Sequence, residues 1–215
     1  MLDIYLIRHA ESEMNSHNNL VGGRSEGTPL SEKGKYQAAL LGKRLSNSGI
    51  IFNELYSSTS KRAVETAEIV GTQLNYSLDS IIKFTELSEL DQGSWEGKPR
   101  IEIYTPEVLA EINKNNWNFT PPNGESQKNV EERMLKWTNE NLITRYANNL
   151  TVGIFTHGLA VKCLLRGIMD FSPKITYKII LDNTSITRLK YSDNGWHLIS
   201  LNDTAHLLSE EKNKK

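Results

Sequence analysis

The chain has 215 residues, which is enough to bury a sizeable hydrophobic core in one domain without metal ions or disulfide bonds. Its 25 Lys and Arg side chains and 26 Asp and Glu side chains give a net charge of −1, so no overall field would attract nucleic acid or an anionic membrane surface. The single cysteine, an N-terminus unlike a signal peptide and the lack of any apolar run of membrane-spanning length predict a soluble cytoplasmic protein.

Hydrophobic patterning over the first third of the chain predicts two strand–helix units. An apolar run at 3–8 indicates a buried strand, and the stretch that follows it is rich in Gly, Asn and Ser, which predicts a long functional loop. Ser31 has the side chain of a helix N-cap, and Gly49 is a typical helix stop. A second strand and a second helix are expected at 51–58 and 61–74. Because strand–helix–strand order favours parallel pairing, we expect an α/β fold.

The centre of the chain is less regular than its two ends. We expect a short strand at 80–87, a loop at 89–99, a helical segment at 100–117 that breaks at Pro106, a turn at 119–126, and a long amphipathic helix that ends at about Asn148. We then expect a strand at 150–158 that runs directly into a histidine, a helix at 159–169, and two strands at 185–190 and 196–201. No repeat or linker divides the chain, so we predict one domain over 1–215, with a mobile tail at about 209–215.

Polar residues that carry chemistry fall at the ends of the predicted strands, where ligands bind in open α/β sheets. They are His9 after the first strand, Ser57, Ser58 and Arg62 after the second, Glu86 and Glu89 after the third, and His157 after the fourth. Each has an ordinary structural interpretation when it is taken singly. Together with Arg8, which directly precedes His9, four strand ends deliver two His, two Arg and an acid, and this combination indicates a functional site.

This set of side chains suits a phosphoryl group. The guanidinium groups of Arg8 and Arg62 match phosphate oxygens, and helix N-termini can direct free N–H groups at an anion. A neutral imidazole with one nitrogen held by a hydrogen bond presents a lone pair on the other, so it can attack phosphorus and carry the phosphoryl group. An alkoxide leaving group needs a proton as it departs, which Glu89 or Glu86 can supply.

The segment LIRHAESEMN, at 6–15, resembles the signature of the histidine phosphatase superfamily, which has the phosphoglycerate-mutase-like fold. Seven further segments resemble that family in the family's order, namely PLSEKGKYQA, LYSSTSKRAVETAEIV, LSELDQGSWEG, PPNGES, FTHGLAVKCLL, NTSIT and LNDTAHL. The resemblance covers nearly the whole chain. It implies a three-layer αβα sandwich with a mostly parallel central sheet, helices on both faces and a helical lid insertion at about 98–122.

The resemblance also implies roles for individual residues. His9 would be the nucleophile that accepts the phosphoryl group, and Glu89 would be the proton donor and then the base that activates water. Glu86 is the closest rival for that role, with the ordinary interpretation of an exposed carboxylate. His157 would serve both catalysis and phosphate binding. The phosphate pocket would be formed by Arg8, Asn15, Arg62 and His157.

Two features depart from the family pattern. Ala10 stands where the family usually has Gly, which requires a negative φ at that position. The loop over 16–28 is longer than usual and lacks the family's Gln-Gly and Asp, so Gly22, Gly23 and Arg24 are candidate substrate contacts. The other histidines are assigned no catalytic role, and Cys163 is expected to face the core. These histidines are His17, His197 and His206.

We therefore predict a histidine-type phosphomonoesterase that works through a phosphohistidine on His9 and uses no cofactor. A metal ion is not implied, because charge relief would come from Arg and helix ends rather than from a carboxylate cluster, and the two histidines lack a third zinc ligand at suggestive spacing. The expected partner is a small-molecule phosphoester, with no nucleic acid and no membrane, and the chain is expected to be a monomer or a homodimer.

Two alternatives remain open. A cofactor-dependent phosphoglycerate mutase would return the phosphoryl group to a second hydroxyl, but mutases of this family carry a longer insertion with a pair of adjacent arginines, and the segment at 101–126 has no such pair. A non-catalytic phospho-ligand binding protein should have lost its nucleophile or its acid. This chain keeps His9, Arg62, Glu89 and His157.

Overall fold

The computed structural model describes residues 1–16 and 19–208, so His17 and the predicted tail at 209–215 lie outside the described residues. The described chain forms a sheet of six strands in the order β3-β2-β4-β1-β5-β6. The strands are β1 Leu2–Arg8, β2 Glu54–Ser58, β3 Ile82–Phe84, β4 Leu150–Thr156, β5 Ile186–Ser192 and β6 Gly195–Asp203. The first four strands in space are parallel, and β5 is antiparallel to both of its neighbours. The predicted α/β class and mostly parallel sheet are confirmed.

Eight α-helices connect and flank these strands in the described residues. They are α1 Glu13–Ser16, α2 Glu32–Asn47, α3 Lys61–Gln73, α4 Arg100–Ile103, α5 Pro106–Asn115, α6 Gln127–Asn141, α7 Gly158–Met169 and α8 Ala205–Leu208. The Ser31 hydroxyl accepts the backbone N–H of Gly34, as expected of the N-cap of α2. Gly49 follows that helix with φ +68°, a left-handed conformation that glycine adopts without strain.

Alternating residues of β1 divide the hydrophobic core between two helical layers. Tyr5 and Ile7 pack in a cluster with Leu41 of α2 and Val70 of α3. Leu2, Ile4 and Leu6 pack in a second cluster with residues of α6 and α7, including Val130, Met134, Val161 and Leu164. Since successive side chains of a strand point to opposite faces, these two clusters lie on the two sides of the sheet. The three-layer arrangement is confirmed.

Three predicted helices and strands differ from the observed ones by three residues or more at one end. The helix expected to reach Asn148 ends at Asn141, and a 3-10 segment continues over Ile143–Asn148. Asn and Thr favour helix interiors weakly, and the tighter turn brings Arg145 into an ion pair with Glu54. The strand expected at 80–87 is confined to β3, because a 3-10 turn over Thr85–Leu87 directs Leu87 into the core. The strand expected from residue 51 begins at Glu54.

The region predicted as a helical lid at about 98–122 contains α4 and α5, with a break before Pro106 as expected. Pro106 is the first residue of α5, where its missing N–H costs nothing, and Thr105 caps that helix. Within 1–16 and 19–208, no helix is both long and apolar enough to cross a bilayer.

Candidate active site

A polar cavity of about 170 Å³ lies beyond the carboxyl ends of β1, β2 and β3. Parallel strands bring their carboxyl ends to one edge of the sheet, and the loops that follow them meet there. The cavity brings together seven of the predicted site residues, along with Ser12, Met14 and Ser25. The seven are Arg8, His9, Asn15, Arg62 and Glu89, together with Gly22 and Gly23 of the loop after α1.

His9 is buried directly after β1, and its hydrogen bonds define its protonation. Its backbone N–H continues the pairing with β4 by donating to the Thr156 carbonyl at 2.9 Å. The ring Nδ1 lies 2.7 Å from the Ala10 carbonyl, which can only accept, so Nδ1 carries the proton. Nε2 then holds a lone pair, which accepts the Arg62 Nε–H at 3.2 Å. Burial, followed by the charges of Arg62 and Arg8, holds the pKa of His9 well below that of a free imidazole.

Arg62 is buried in the first turn of α3 and uses all five of its N–H donors. Nε donates to His9, and one Nη2 bond goes to His157 Nδ1 at 3.0 Å. The other three bonds go to backbone carbonyls of the loop, those of Gly23, Arg24 and Ser25, at 2.8 to 3.0 Å. An arginine has five such donors, so any phosphate oxygen that binds Arg62 must replace one of these acceptors.

His157 is fully buried between Arg62 and the end of β2. Because its Nδ1 accepts from Arg62, its Nε2 is the protonated nitrogen and donates to the Ser58 hydroxyl at 2.9 Å. The His157 ring centroid lies 5.1 Å from that of His9. Burial and the Arg62 charge hold the pKa of His157 well below its usual range. Both histidines are therefore neutral, and Arg62 joins them.

Arg8 and Asn15 offer donors that the described protein leaves unused. Arg8 Nη1 donates to the Leu181 carbonyl, whereas its Nε is buried and has no hydrogen-bond partner in the described part of the chain. A Cβ placed on Gly158 would lie 3.4 Å from that Nε, so the guanidinium lies across the N-terminus of α7. Asn15 accepts from the Ser12 N–H and hydroxyl through Oδ1. Free cationic donors beside the cavity suit an anion.

The Glu89 carboxylate is held at the N-terminus of α7 by three backbone N–H groups. Oε1 accepts from Leu90 at 3.0 Å and from Ala160 at 3.1 Å, and Oε2 accepts from Leu159 at 3.1 Å. Each carboxylate oxygen has two lone pairs, so Oε2 keeps one available. Glu86 is exposed in the preceding 3-10 turn and does not line the cavity.

The loop that covers the cavity is organised by Glu96, which the sequence did not single out. Its carboxylate accepts the N–H groups of Arg24 at 2.7 Å, Ser25 at 2.9 Å and Gln92 at 3.1 Å. Gly23 has φ +139°, and a Cβ there would lie 2.1 Å from Glu96 Oε1, so only glycine fits. The sequence signal for this role was the motif GSWEG, in which Glu96 precedes a glycine in a turn-rich segment.

Arg24 contributes its backbone rather than its side chain to this cavity. Its carbonyl accepts from Arg62, while its guanidinium lies 3.6 Å from carboxylate oxygens of Asp91 and Glu125 and does not line the cavity. The side chain of Asn183, which no strand-end pattern indicated, donates to the His9 carbonyl at 3.0 Å.

Ala10 has the negative φ that its methyl group requires. It is not among the residues of positive φ, and it is fully buried against Leu30 and Ala38. Cys163 is buried in α7, as expected, and burial raises the pKa of its thiol. His197 is exposed on β6, and His206 is buried away from the cavity against Thr184. Across the described residues, no three His, Cys, Asp or Glu side chains converge in a way that could hold a metal ion.

Comparisons with known proteins identify relatives of this chain. The chain is 30% identical over 167 residues to the 2,3-bisphosphoglycerate-dependent phosphoglycerate mutase of Bartonella henselae, covering 77% of this chain and 80% of the relative. The structure of Bacillus stearothermophilus YhfR is similar with a TM-score of 0.82 and 30% identity, over 96% of this chain and all of that one.

A phosphoserine phosphatase mutant from Entamoeba histolytica, solved with phosphoserine, has the same fold, with a TM-score of 0.77 and 23% identity over 96% of this chain and all of that one. The family model described as "Histidine phosphatase superfamily (branch 1)" matches residues 4–204. The protein therefore belongs to the histidine phosphatase superfamily, branch 1.

Proposed function

We propose that this protein hydrolyses phosphomonoesters through a phosphohistidine on His9, with Glu89 as the proton donor. The observation that carries the proposal is the His9 tautomer. The Ala10 carbonyl holds the Nδ1 proton, so the Nε2 lone pair is directed at Arg62 beside the cavity. A buried neutral imidazole in this orientation is a nucleophile that needs no base to activate it.

Substrate binding begins with an exchange of hydrogen bonds. The free Nε–H of Arg8 and the side-chain amide of Asn15 donate hydrogen bonds to phosphoryl oxygens. Arg62 redirects N–H groups from His9 and the loop carbonyls to the incoming anion. Moving Arg62 Nε from His9 to a phosphoryl oxygen frees the Nε2 lone pair for attack. His157 keeps Arg62 aligned from the other side, because its Nδ1 accepts from Arg62 while its Nε2 donates to Ser58.

In the first chemical step, His9 Nε2 forms a bond to phosphorus and the bond from phosphorus to the ester oxygen breaks. The leaving oxygen takes a proton from Glu89 Oε2, the oxygen with a spare lone pair. In the second step a water molecule gives its proton to Glu89 and attacks phosphorus, and the P–N bond breaks to release phosphate. His9 returns to its neutral form, and Glu89 is ready to donate again.

Hydrolysis of p-nitrophenyl phosphate tests this proposal. We expect turnover that EDTA does not reduce and that His9→Ala abolishes, together with a labelled, acid-labile phosphoprotein when the wild-type enzyme is quenched during turnover. His197→Ala, which removes an exposed histidine of β6, should leave turnover unchanged. Activity that survives His9→Ala would remove His9 as the nucleophile.

A second candidate is a phosphoglycerate mutase, which the identity of 30% to a mutase favours. Against it, the lid offers only one arginine, Arg100, which is exposed and stacks over Tyr104, so no arginine pair is present to hold a glycerate carboxylate. Incubation with 3-phosphoglycerate and a trace of 2,3-bisphosphoglycerate separates the two. We expect free phosphate to form, and faster formation of 2-phosphoglycerate would establish the mutase.

A further inference from the structure

An open cleft of about 720 Å³ lies beside the polar cavity, under the lid. Its lining is mainly apolar and aromatic, from α4, α5, the first turn of α7 and the 3-10 segment at Pro173–Lys178. The apolar and aromatic residues that line it are Ile101, Tyr104, Leu109, Ile112, Leu159 and Tyr177. A volume of this order suits a small organic molecule, since ligand pockets span about 300–1,000 Å³.

The apolar side chains at the mouth of the cleft are exposed. Ile101 is 88% exposed, Tyr177 56% and Leu109 43%. Exposing several large apolar groups around one opening is unfavourable in water, and such patches mark binding surfaces. An occupant that removes them from water would gain free energy from the contact.

The cleft adjoins the proposed catalytic site at Glu89. The Glu89 carboxylate lines the polar cavity and accepts the N–H of Leu159, which lines the cleft. Gln92, three residues after Glu89, lies on the cleft wall, and its side-chain amide makes no hydrogen bond to other described residues. A leaving oxygen within reach of Glu89 would therefore carry its organic group toward Leu159 and Gln92.

The charge of the lining indicates which organic group fits. Arg100 is the one charged residue among those that line the cleft, and its guanidinium lies 4.7 Å from the Tyr104 ring centroid on the exposed rim. Among the lining residues no other cation is present, so a carboxylate or second phosphate held against the apolar wall would lose water without gaining an ion pair. Lys162, one turn after Leu159 on α7, interacts with Glu89 but does not line the cleft. Tyr104 and Tyr177 give the lining its aromatic surface, and the Trp95 ring packs edge-on against Tyr104.

We propose that the cleft binds the alcohol portion of the substrate and selects phosphomonoesters of uncharged apolar or aromatic alcohols over those that carry a carboxylate. This inference rests on the proposed function for the position of the phosphate, and it adds the class of alcohol. The Gln92 amide would receive one hydroxyl or carbonyl group of such an alcohol, and the aromatic wall would receive its ring.

Binding to the His9→Ala protein, measured by titration calorimetry, tests the inference without turnover. The probes are 1-naphthyl phosphate, phosphoserine and inorganic phosphate. We expect 1-naphthyl phosphate to bind at least tenfold more tightly than phosphoserine. In the same background, Leu109→Gln should weaken 1-naphthyl phosphate about tenfold and leave inorganic phosphate unchanged. Equal affinity for the two esters, or tighter binding of phosphoserine, would overturn the inference.

The matched control is Ile51→Gln, which makes the same kind of change at an isolated residue that is 83% exposed and lies far along the chain from the lid. It should change none of the three affinities. Leu109 lies on the surface of α5 and glutamine is a good helix former, so the variant should fold. Should it not fold, the ratio of kcat/KM for 1-naphthyl phosphate and phosphoserine in the wild-type enzyme decides, and a ratio below one overturns the inference.

The two proposals fail in different ways. If the wild-type enzyme hydrolyses no ester while 1-naphthyl phosphate still binds selectively, the catalytic proposal fails and the cleft inference stands. If every ester is hydrolysed through His9 with no preference for the aromatic alcohol, the catalytic proposal stands and the cleft inference fails.

Discussion

The polar cavity and the lid cleft lie on the two sides of Glu89, and they are held in different ways. Around the cavity, Arg62, His9 and His157 are buried on the ends of strands and helices, and every Arg62 donor has an acceptor. Around the cleft, apolar side chains of α4 and α5 meet water. Buried hydrogen bonds specify one geometry, whereas apolar contact tolerates many shapes. On the proposed function, the cavity binds phosphate in one fixed geometry, whereas the cleft accepts apolar alcohols of more than one shape.

Glu89→Gln sharpens this comparison most, because Glu89 serves both regions. The amide keeps the size of the side chain but has no proton to give, so phosphoryl transfer from an alkyl phosphate should slow by about 10²–10⁴-fold. Transfer from p-nitrophenyl phosphate should slow far less, because p-nitrophenolate leaves without a proton. Rapid-quench measurement of the first turnover separates the two esters. Equal losses for both would show that Glu89 is not the proton donor.

Arg62→Lys tests whether the cavity depends on a fork of donors rather than on charge alone. Lysine has three donors on one nitrogen, so it cannot join His9, His157 and the loop carbonyls at once, and we expect kcat/KM to fall about a hundredfold for every ester. The control is Arg188→Lys, which alters a partly buried ion pair with Asp3 at the other end of β1. A loss confined to one class of ester would contradict a shared phosphate site.

The pH dependence of turnover tests the neutral state of the nucleophile. Burial and the charges of Arg62 and Arg8 lower the pKa of His9, so the imidazole stays unprotonated where a free one would gain a proton. With p-nitrophenyl phosphate, kcat/KM should show no decline centred near pH 6.5, the region of the free imidazole. A single acid limb with its midpoint there would mean that His9 titrates normally.

His206 predicts a smaller effect, on stability rather than on turnover. Burial and the Arg44 charge lower the pKa of His206 to about 4, below its value of about 6.5 in an unfolded chain. The unfolded state therefore binds more protons between these values, so the free energy of unfolding should fall as the pH drops from about 6.5 to about 4.

His206→Gln should make the free energy of unfolding fall less over this pH window, by on the order of 1–3 kcal/mol. Urea titrations at a series of pH values measure it, and His197→Gln on exposed β6 is the control that should leave the slope unchanged. Identical slopes for His206→Gln and the wild-type protein would contradict the lowered pKa.

Strand ends were the most predictable part of this protein. Apolar runs that stop at His9 and His157 indicated a parallel sheet and placed both histidines at one edge of it, and the Ser31 cap and the Pro106 break were readable from local chemistry. The end of the helix before Asn148 could not be predicted, because it depends on Arg145 reaching Glu54. The end of the strand at 80–87 could not be predicted either, because it depends on Leu87 entering the core. Those contacts join residues far apart in the chain.

The sequence by itself determined the fold class, the family resemblance and the residue types available at the sheet edge, because strand periodicity and helix capping act over short ranges of chain. Only the tertiary structure decided the tautomers of His9 and His157, the full use of the Arg62 donors and the role of Glu96 in holding the covering loop. Hydrogen-bond partners depend on distance and direction in space, which no spacing along the chain contains.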